Sequence, residues 1–272
     1  MTTSKRREPL VDLPADPTTR FTDRVADYSG SRPCYPDRLV QAVVEATGIG
    51  HDAVIADIGS GTGLSAEPFL RHGYVVICVE PNAAMRASAE KVLGSHAGFR
   101  SVEGSAEATG LADGSVDAVL VAQAFHWFDV EDARREFLRI LRPEGWVCLA
   151  WNTRHTTGSS FLIGYEKLLR TFGTDYERVQ QRTERLRRGD GTGPGALESF
   201  FRGGYTRRVL ANRQDLDLAG LESRVRSSSY TPAPGSPAHA PMMDAVAALF
   251  RAVSIDGLVR IEYDLEVYIG RL

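Results

Sequence analysis

Asp57-Ile58-Gly59-Ser60-Gly61-Thr62-Gly63 lies between a β-branched apolar run, Ala53 to Ile58, and a helical pattern that starts near Leu64. Glycines at the end of a strand let the backbone turn sharply and bring the N–H groups of a helix N-terminus close to a ligand. Dinucleotide-binding turns space their glycines G-x-G-x-x-G, whereas here the third glycine comes one residue early and Leu64 fills the usual place. A nicotinamide cofactor is disfavoured, and a different ligand is expected at the same kind of strand-to-helix junction.

Working outward, Leu39, Val40, Val43 and Val44 recur at helical spacing before this turn, and Gly48 and Gly50 stop that helix. After the turn, a helix from about Leu64 to His72 leads to a strand at Tyr74 to Val79 and a helix around Ala83 to Val92. Strands near Phe99 to Val102 and at Val116 to Ala122, a helix at about Asp132 to Leu141 and a strand at Trp146 to Trp151 continue the alternation. Parallel strands need crossover helices, so the pattern predicts an α/β fold with a doubly wound, mostly parallel sheet covered on both faces.

Beyond Asn152 the rhythm breaks into helical stretches near Phe161 to Phe172 and Tyr176 to Arg187 and a loop at Gly189 to Gly195. Tyr205 to Leu210 and Val259 to Ile269 alternate apolar with polar residues, which predicts two late strands, an antiparallel pair completing a seven-stranded sheet. Thr231 to Pro241, rich in Pro and Ala, reads as a loop between them. The expected organisation is a flexible tail at 1–19, an α/β domain with an N-terminal lid segment at 20–152, a helical cap insertion at 153–204, and closing strands with their connection at 205–272.

Composition narrows the function classes. The 272 residues are 43% hydrophobic and 25% charged, which excludes a disordered or fibrous chain, and the net charge of −3 lacks the basic excess of a dedicated nucleic-acid binder. The longest apolar runs, such as Val75 to Val79, are far short of the roughly twenty residues of a membrane span, and no signal-peptide core follows Lys5, Arg6 and Arg7. A cytoplasmic protein is expected. Cys34, Cys78 and Cys148 are odd in number and far apart, indicating neither a disulfide framework nor a zinc site. The arginines at 178, 182, 185, 187 and 188, interspersed with Glu177 and Glu184, read as a solvated helix face.

The second strand ends at Glu80, where a doubly wound fold presents a carboxylate to both hydroxyls of an adenosine ribose. Glu103-Gly104-Ser105-Ala106-Glu107, just past the third strand, suits a lip over the adenine. Together with V-E-P-N at 79–82, Q-A-F-H-W-F-D at 123–129, L-R-P-E-G at 141–145 and the pattern Phe21, Tyr28, Tyr35-Pro36, these segments carry a resemblance. From about Phe21 to Asn152 the chain resembles the class I S-adenosylmethionine-dependent methyltransferases, in the small-molecule branch that includes ubiquinone/menaquinone-type and trans-aconitate-type enzymes.

The resemblance implies S-adenosyl-L-methionine as cofactor. Gly59, Gly61 and Gly63, with Ser60, would line its methionine portion, and Asp57 would organise the turn. Glu80, with Pro81 beside it, would hold the ribose; Ser105, Ala106 and Glu107 would meet the adenine, and Met85 would pack near it. Gln123 would lie beneath the methionine part, and Tyr28 and Arg32 would close over the cofactor. Gln123 also stands where metal-dependent catechol-type enzymes need a carboxylate, so no metal is expected.

His126 sits where an acceptor would approach, and is expected either as a general base or as a group shaping the pocket. Trp127 and Phe128 read as pocket walls or as plain core. The apolar face of the helix near Phe161 to Phe172 is expected to wall the acceptor pocket through Phe161 and Tyr165. Methyl transfer to a small-molecule acceptor through an O, N or C nucleophile is the activity implied. The alternative is a cofactor-binding protein of the same fold that catalyses a rearrangement or cyclisation, or serves as an accessory subunit.

Overall fold

The computed structural model describes residues 30–188 and 195–272. The tail at 1–19, Phe21, Tyr28 and most of the loop expected at 189–195 lie outside the described residues. Short β-branched runs form the sheet: β1 (Val54–Ile58), β2 (Val75–Val79), β3 (Phe99–Val102) and β4 (Val116–Ala122), followed by the longer β5 (Leu141–Arg154), β6 (Tyr205–Leu216) and β7 (Val259–Gly270). Their order across the sheet is β3-β2-β1-β4-β5-β7-β6. Strands β1 to β5 pair in parallel, and β7 runs antiparallel to both β5 and β6. The chain reverses its direction of travel between β1 and β4, so the carboxyl ends of these two strands border the crevice in which open α/β sheets bind ligands.

Helix α1 (Asp37–Thr47), which precedes β1, and the crossover helices α2 (Ala66–Arg71), α3 (Ala83–Leu93) and α4 (Val130–Ile140) cover the two faces. One face buries Leu39, Val43, Phe69 and Leu93 against Ile55, Val76 and Leu120. The other buries Phe137 and Ile140 of α4 against Ile58, Val119 and Leu149, with Phe200 from the short helix α7 (Ala196–Phe201) added beside them. Each such side chain contributes roughly 1.5–3 kcal/mol by leaving water. Asp129 starts α4 by accepting from the N–H groups of Glu131 and Asp132, a cap that stabilises by about 1 kcal/mol.

The upper part of the fold is built differently from the expected single cap insertion. After β5, α5 (Ser160–Phe172) and α6 (Tyr176–Arg188) occupy the expected positions, but two further helices, α8 (Leu218–Arg226) and α9 (His239–Val253), fill the connection between β6 and β7. Where the sequence predicts a loop through Pro241, α9 has already begun; Pro241 falls in its first turn, where the missing N–H has no intrahelical partner to lose. β6 runs on to Leu216 because its register against β7 continues past the end of β5. Arg154 pairs with Tyr263, and Leu216 still pairs with Val259. This two-stranded extension rises above the ligand edge and carries a third core, in which Leu162 and Leu169 of α5, Leu221 of α8 and Val246 of α9 pack on Ile261. Among the described residues, no helix is long and apolar enough to cross a membrane.

Candidate functional site

Asp57, near the end of β1, is fully buried, and its Oδ2 accepts from Ser65 Oγ at 2.7 Å. Burial pushes its carboxyl up to about 7; the Ser65 bond acts against this and the nearby Glu80 charge adds to it. The chain then turns over Gly59, whose φ of +67° suits glycine, and a Cβ there would stand 2.7 Å from the Ala124 side chain. Gly61, at φ +57°, has open space where its Cβ would be, so the turn leaves a cradle on the cleft side.

Glu80 follows β2 and crosses this cradle. Its Oε2 accepts from Gly61 N and its Oε1 from Asn82 N, both at 2.9 Å. Asn82 in turn caps α3 by accepting from Ala84 and Met85 N–H, which ties the start of that helix to the carboxylate. Glu80 is 9% exposed, and burial raises its carboxyl above the ordinary range against the opposing N–H donors of Asn82 and Gly61 and the Arg86 charge. An ionised carboxylate has about four lone-pair sites. Two are used by backbone donors, and the others border a cavity.

That cavity, of about 150 Å³, is lined by Gly59, Gly61, Glu80, Pro81 and Met85 on one side. Ser105, Ala106 and Glu107 of the loop after β3 and Gln123, Trp127 and Phe128 beyond β4 line the other. A second, smaller cavity of about 60 Å³ meets it at Gly59, Gly61, Ala122 and Gln123, and is bordered by Arg32, Ser60, Thr62, Asn152, Arg224 and Tyr263. Gln123 at this junction has a φ of +58°, a left-handed conformation that is strained for a residue other than glycine. Its backbone N–H reaches Ala150 O at 2.9 Å and its side chain donates to Asn152 O at 3.0 Å, which hold it there.

Thus nine of the expected cofactor residues, from Gly59 to Gln123, line the larger cavity, and Ser60 and Arg32 line the second; Asp57 lies buried against Ser65 and Gly63 packs toward Leu93, and neither lines a cavity. Tyr28 lies outside the described residues. His126 borders neither cavity; it sits on a single 3₁₀ turn with its ring 4.8 Å from that of Trp127. Phe161 and Tyr165 also stay out of both linings. Their rings stack at 5.6 Å inside the third core, because the apolar face of α5 is used up against α8, α9 and the β6–β7 extension. Arg178 is exposed, as a solvated face requires, while the side chains at 182, 185, 187 and 188 lie outside the described residues.

Sequence reasoning missed Asn82, Asn152, Arg224 and Tyr263. Asn82 carried a signal, a helix-capping residue directly after the strand carboxylate. Arg224 carried none, since an arginine in a helix ordinarily marks solvent.

A family model of the methyltransferase domain matches residues 56–149. A methyltransferase-like protein of Schizosaccharomyces pombe is 37% identical over 141 residues, which cover 50% of this chain and 53% of that protein. A Mycobacterium tuberculosis methyltransferase is 36% identical over 143 residues, 51% of this chain and 54% of its own length. The chain spans about half the length of the curated relatives it matches. Among solved structures, a putative type II methyltransferase from Anaeromyxobacter dehalogenans superposes with a TM-score of 0.63 at 20% identity, over 88% of this chain and 97% of that one; this likeness shows the fold.

Proposed function

We propose that this chain, a class I S-adenosylmethionine-dependent methyltransferase by the domain at residues 56–149, transfers a methyl group to a small-molecule acceptor held beside the glycine turn. The observation that carries this reading is the Glu80 carboxylate, buried yet bordering the larger cavity, with Gly61 N–H fixing its position and its remaining lone-pair sites suited to accept from a vicinal diol. The surroundings fit the cofactor on their own chemistry. Gly61 leaves a cradle without side chain, Ala106 and Met85 supply apolar walls for a purine, and Thr62 Oγ1 is buried without a partner among the described residues, next to the turn.

In this reading Glu80 binds the ribose hydroxyls, the segment Ser105 to Glu107 packs on the adenine, and Gly59 to Gly63 with Arg32 receive the amino-acid portion. When bound, the cofactor supplies a methyl group already activated by a positive sulfur. The protein then has to align a nucleophile with it and exclude water, and orientation of this kind supplies roughly 7–11 kcal/mol of barrier reduction. Gln123 stands at the meeting point of the two cavities, held rigid by its bonds to Ala150 and Asn152. Its neutral amide places no full charge against the sulfonium. His126 borders neither cavity, so no proton transfer is assigned to it.

Calorimetry with S-adenosylmethionine and S-adenosylhomocysteine tests this. Micromolar binding of both is expected, and Glu80→Ala should weaken each by about a hundredfold, the value of two charge-assisted hydrogen bonds or roughly 3 kcal/mol. Binding within threefold of wild type would remove Glu80 as ribose anchor. Release of S-adenosylhomocysteine in step with a product heavier by one methyl separates transfer from a rearrangement that leaves the cofactor intact.

A further inference from the structure

Arg32 and Arg224 reach the second cavity from far apart in the chain, and the end of α8 holds them together. Arg32 Nη2 donates to the carbonyl of Ser227, the residue that ends α8, at 2.6 Å, and Gln214 of β6 fastens the same segment by donating to Ser31 O at 2.8 Å. Arg224, in the last turn of α8, donates from one Nη to Ser228 Oγ at 2.8 Å and is hydrogen-bonded to the Tyr263 phenol. Burial opposes its charge, but the surrounding phenols, Tyr263 first, hold it up, so Arg224 stays a cation although the residue is only 6% exposed. Its Nε is a buried donor with no partner among the described residues.

The cavity that these two side chains share is small, and its lining includes the glycine turn from Gly59 to Thr62. A volume of about 60 Å³ has room for the ionic head of an amino acid and none for a separate acceptor. It opens into the larger cavity at Gly59, Gly61 and Gln123, so a ligand whose ribose lies on Glu80 can extend its other end between the two guanidiniums. A planar guanidinium fork suits a carboxylate, which accepts two parallel N–H bonds. The other polar side chains of the lining, among them Gln123, Asn152 and Thr62, are neutral and leave this role to the arginines.

We propose that Arg224 is a cofactor-binding residue supplied by the cap: beside Arg32 it receives the carboxylate of the cofactor's methionine portion, and through this contact the bound cofactor fastens α8 over the ligand edge. The proposal rests on the methyl-transfer reading above. The matched domain at residues 56–149 does not contain Arg224, which lies in the connection between β6 and β7, so the domain by itself does not supply this contact. α8 buries Leu221 and Val225 in the third core with α5 and α9. A ligand bonded to Arg224 therefore stabilises that core by mass action, whereas one that ends at the ribose and its sulfur does not reach it.

The test uses the full chain and two ligands that share a nucleoside and a thioether sulfur, S-adenosylhomocysteine and 5′-methylthioadenosine, of which the second lacks the amino-acid portion. By calorimetry, Arg224→Gln should weaken S-adenosylhomocysteine tenfold or more and leave 5′-methylthioadenosine within twofold of wild type, which also shows that the variant is folded. In the wild type, hydrogen exchange at the amides of Leu218–Arg226 should slow on saturation with S-adenosylhomocysteine and not with 5′-methylthioadenosine. This second readout needs no variant and decides the matter should Arg224→Gln not fold. Equal losses for the two ligands in a folded variant would reduce Arg224 to a structural role. S-adenosylhomocysteine affinity within threefold of wild type, as expected of a residue that serves an acceptor's carboxylate, or the same effect of both ligands on α8, would equally overturn the assignment. A wild type that binds neither ligand would instead remove the methyl-transfer reading beneath it.

Discussion

Glu136 of α4 holds Thr109 by two bonds to one oxygen: Oε1 accepts from Thr109 N at 2.8 Å and from Thr109 Oγ1 at 2.5 Å. Arg139 donates to the same carboxylate from Nε at 2.8 Å, and Thr109 itself is fully buried. The segment Ser105 to Glu107, which lines the larger cavity, is therefore anchored from behind by a helix that never touches the ligand.

Glu136→Ala should leave two buried Thr109 donors unsatisfied, costing about 1–3 kcal/mol of stability and loosening the cavity wall. Thermal denaturation should show a lower Tm, and S-adenosylmethionine should bind more weakly although Glu136 is no part of the lining. The carboxyl is held down to about 2, first by the Arg139 bond, with Thr109 assisting and burial opposing. A depressed folded pKa gives stability that is present above the unfolded value near 4.5 and lost as pH falls toward 2. Wild-type stability should accordingly fall more steeply than the variant's between about pH 4.5 and pH 2. Unchanged Tm and unchanged affinity would show the anchor to be dispensable.

Asp57 has the opposite sign. Its folded carboxyl is raised from 3.8 to about 7, chiefly by burial. The folded protein then retains a proton that the unfolded chain releases, so this contribution is fully present below the unfolded value and declines as pH rises through the window up to about 7, by at most about 1.4 kcal/mol per pH unit. Asp57→Asn keeps an oxygen to accept from Ser65 Oγ and abolishes the titration. Urea unfolding from pH 5 to pH 8 should show wild-type stability falling relative to the variant, and parallel curves would refute the assignment.

The α/β half of this fold is legible in sequence because each strand is a short apolar run and Gly59, Gly61 and Gly63 punctuate the first turn. Position then made Glu80 conspicuous, since a carboxylate directly after a buried strand has few other uses. The cap is less legible for physical reasons. Gly220 inside α8 and Pro241 in the first turn of α9 are residues that usually end helices, and both helices are stable only through the face they bury in the third core. β6 was foreseen only to Leu210 because Arg213 and Asp215 interrupt its apolar pattern; on an edge strand such charges point to water. Phe161 and Tyr165 show that periodicity reports a buried face without saying what covers it.

Chelation should not affect turnover. The residue after β4 is the neutral Gln123, and among the described residues no group of three or more His, Cys, Asp or Glu could hold a metal ion. Product formation with S-adenosylmethionine in excess chelator should equal that in its absence. Loss of turnover restored by magnesium would assign a metal role that the described residues do not foreshadow.

Phe161 and Tyr165 separate core from pocket. Both rings are nearly fully buried and stacked, and the Arg154 guanidinium lies 5.0 Å from the Tyr165 ring centroid. Truncating either to Ala removes an aromatic ring from a packed core, which costs about 3–5 kcal/mol. Global instability is therefore expected before any selective rise in acceptor KM. Tyr165→Phe is the informative partner. The Tyr165 hydroxyl is buried without a hydrogen-bond partner among the described residues, and burial pushes it up to about 12, so removing it relieves a desolvated polar group while keeping the ring. Thermal melts should place Tyr165→Phe at or above wild type and both Ala variants well below. An Ala variant that kept its Tm and lost only acceptor affinity would return α5 to the acceptor wall, against the packing seen in the third core.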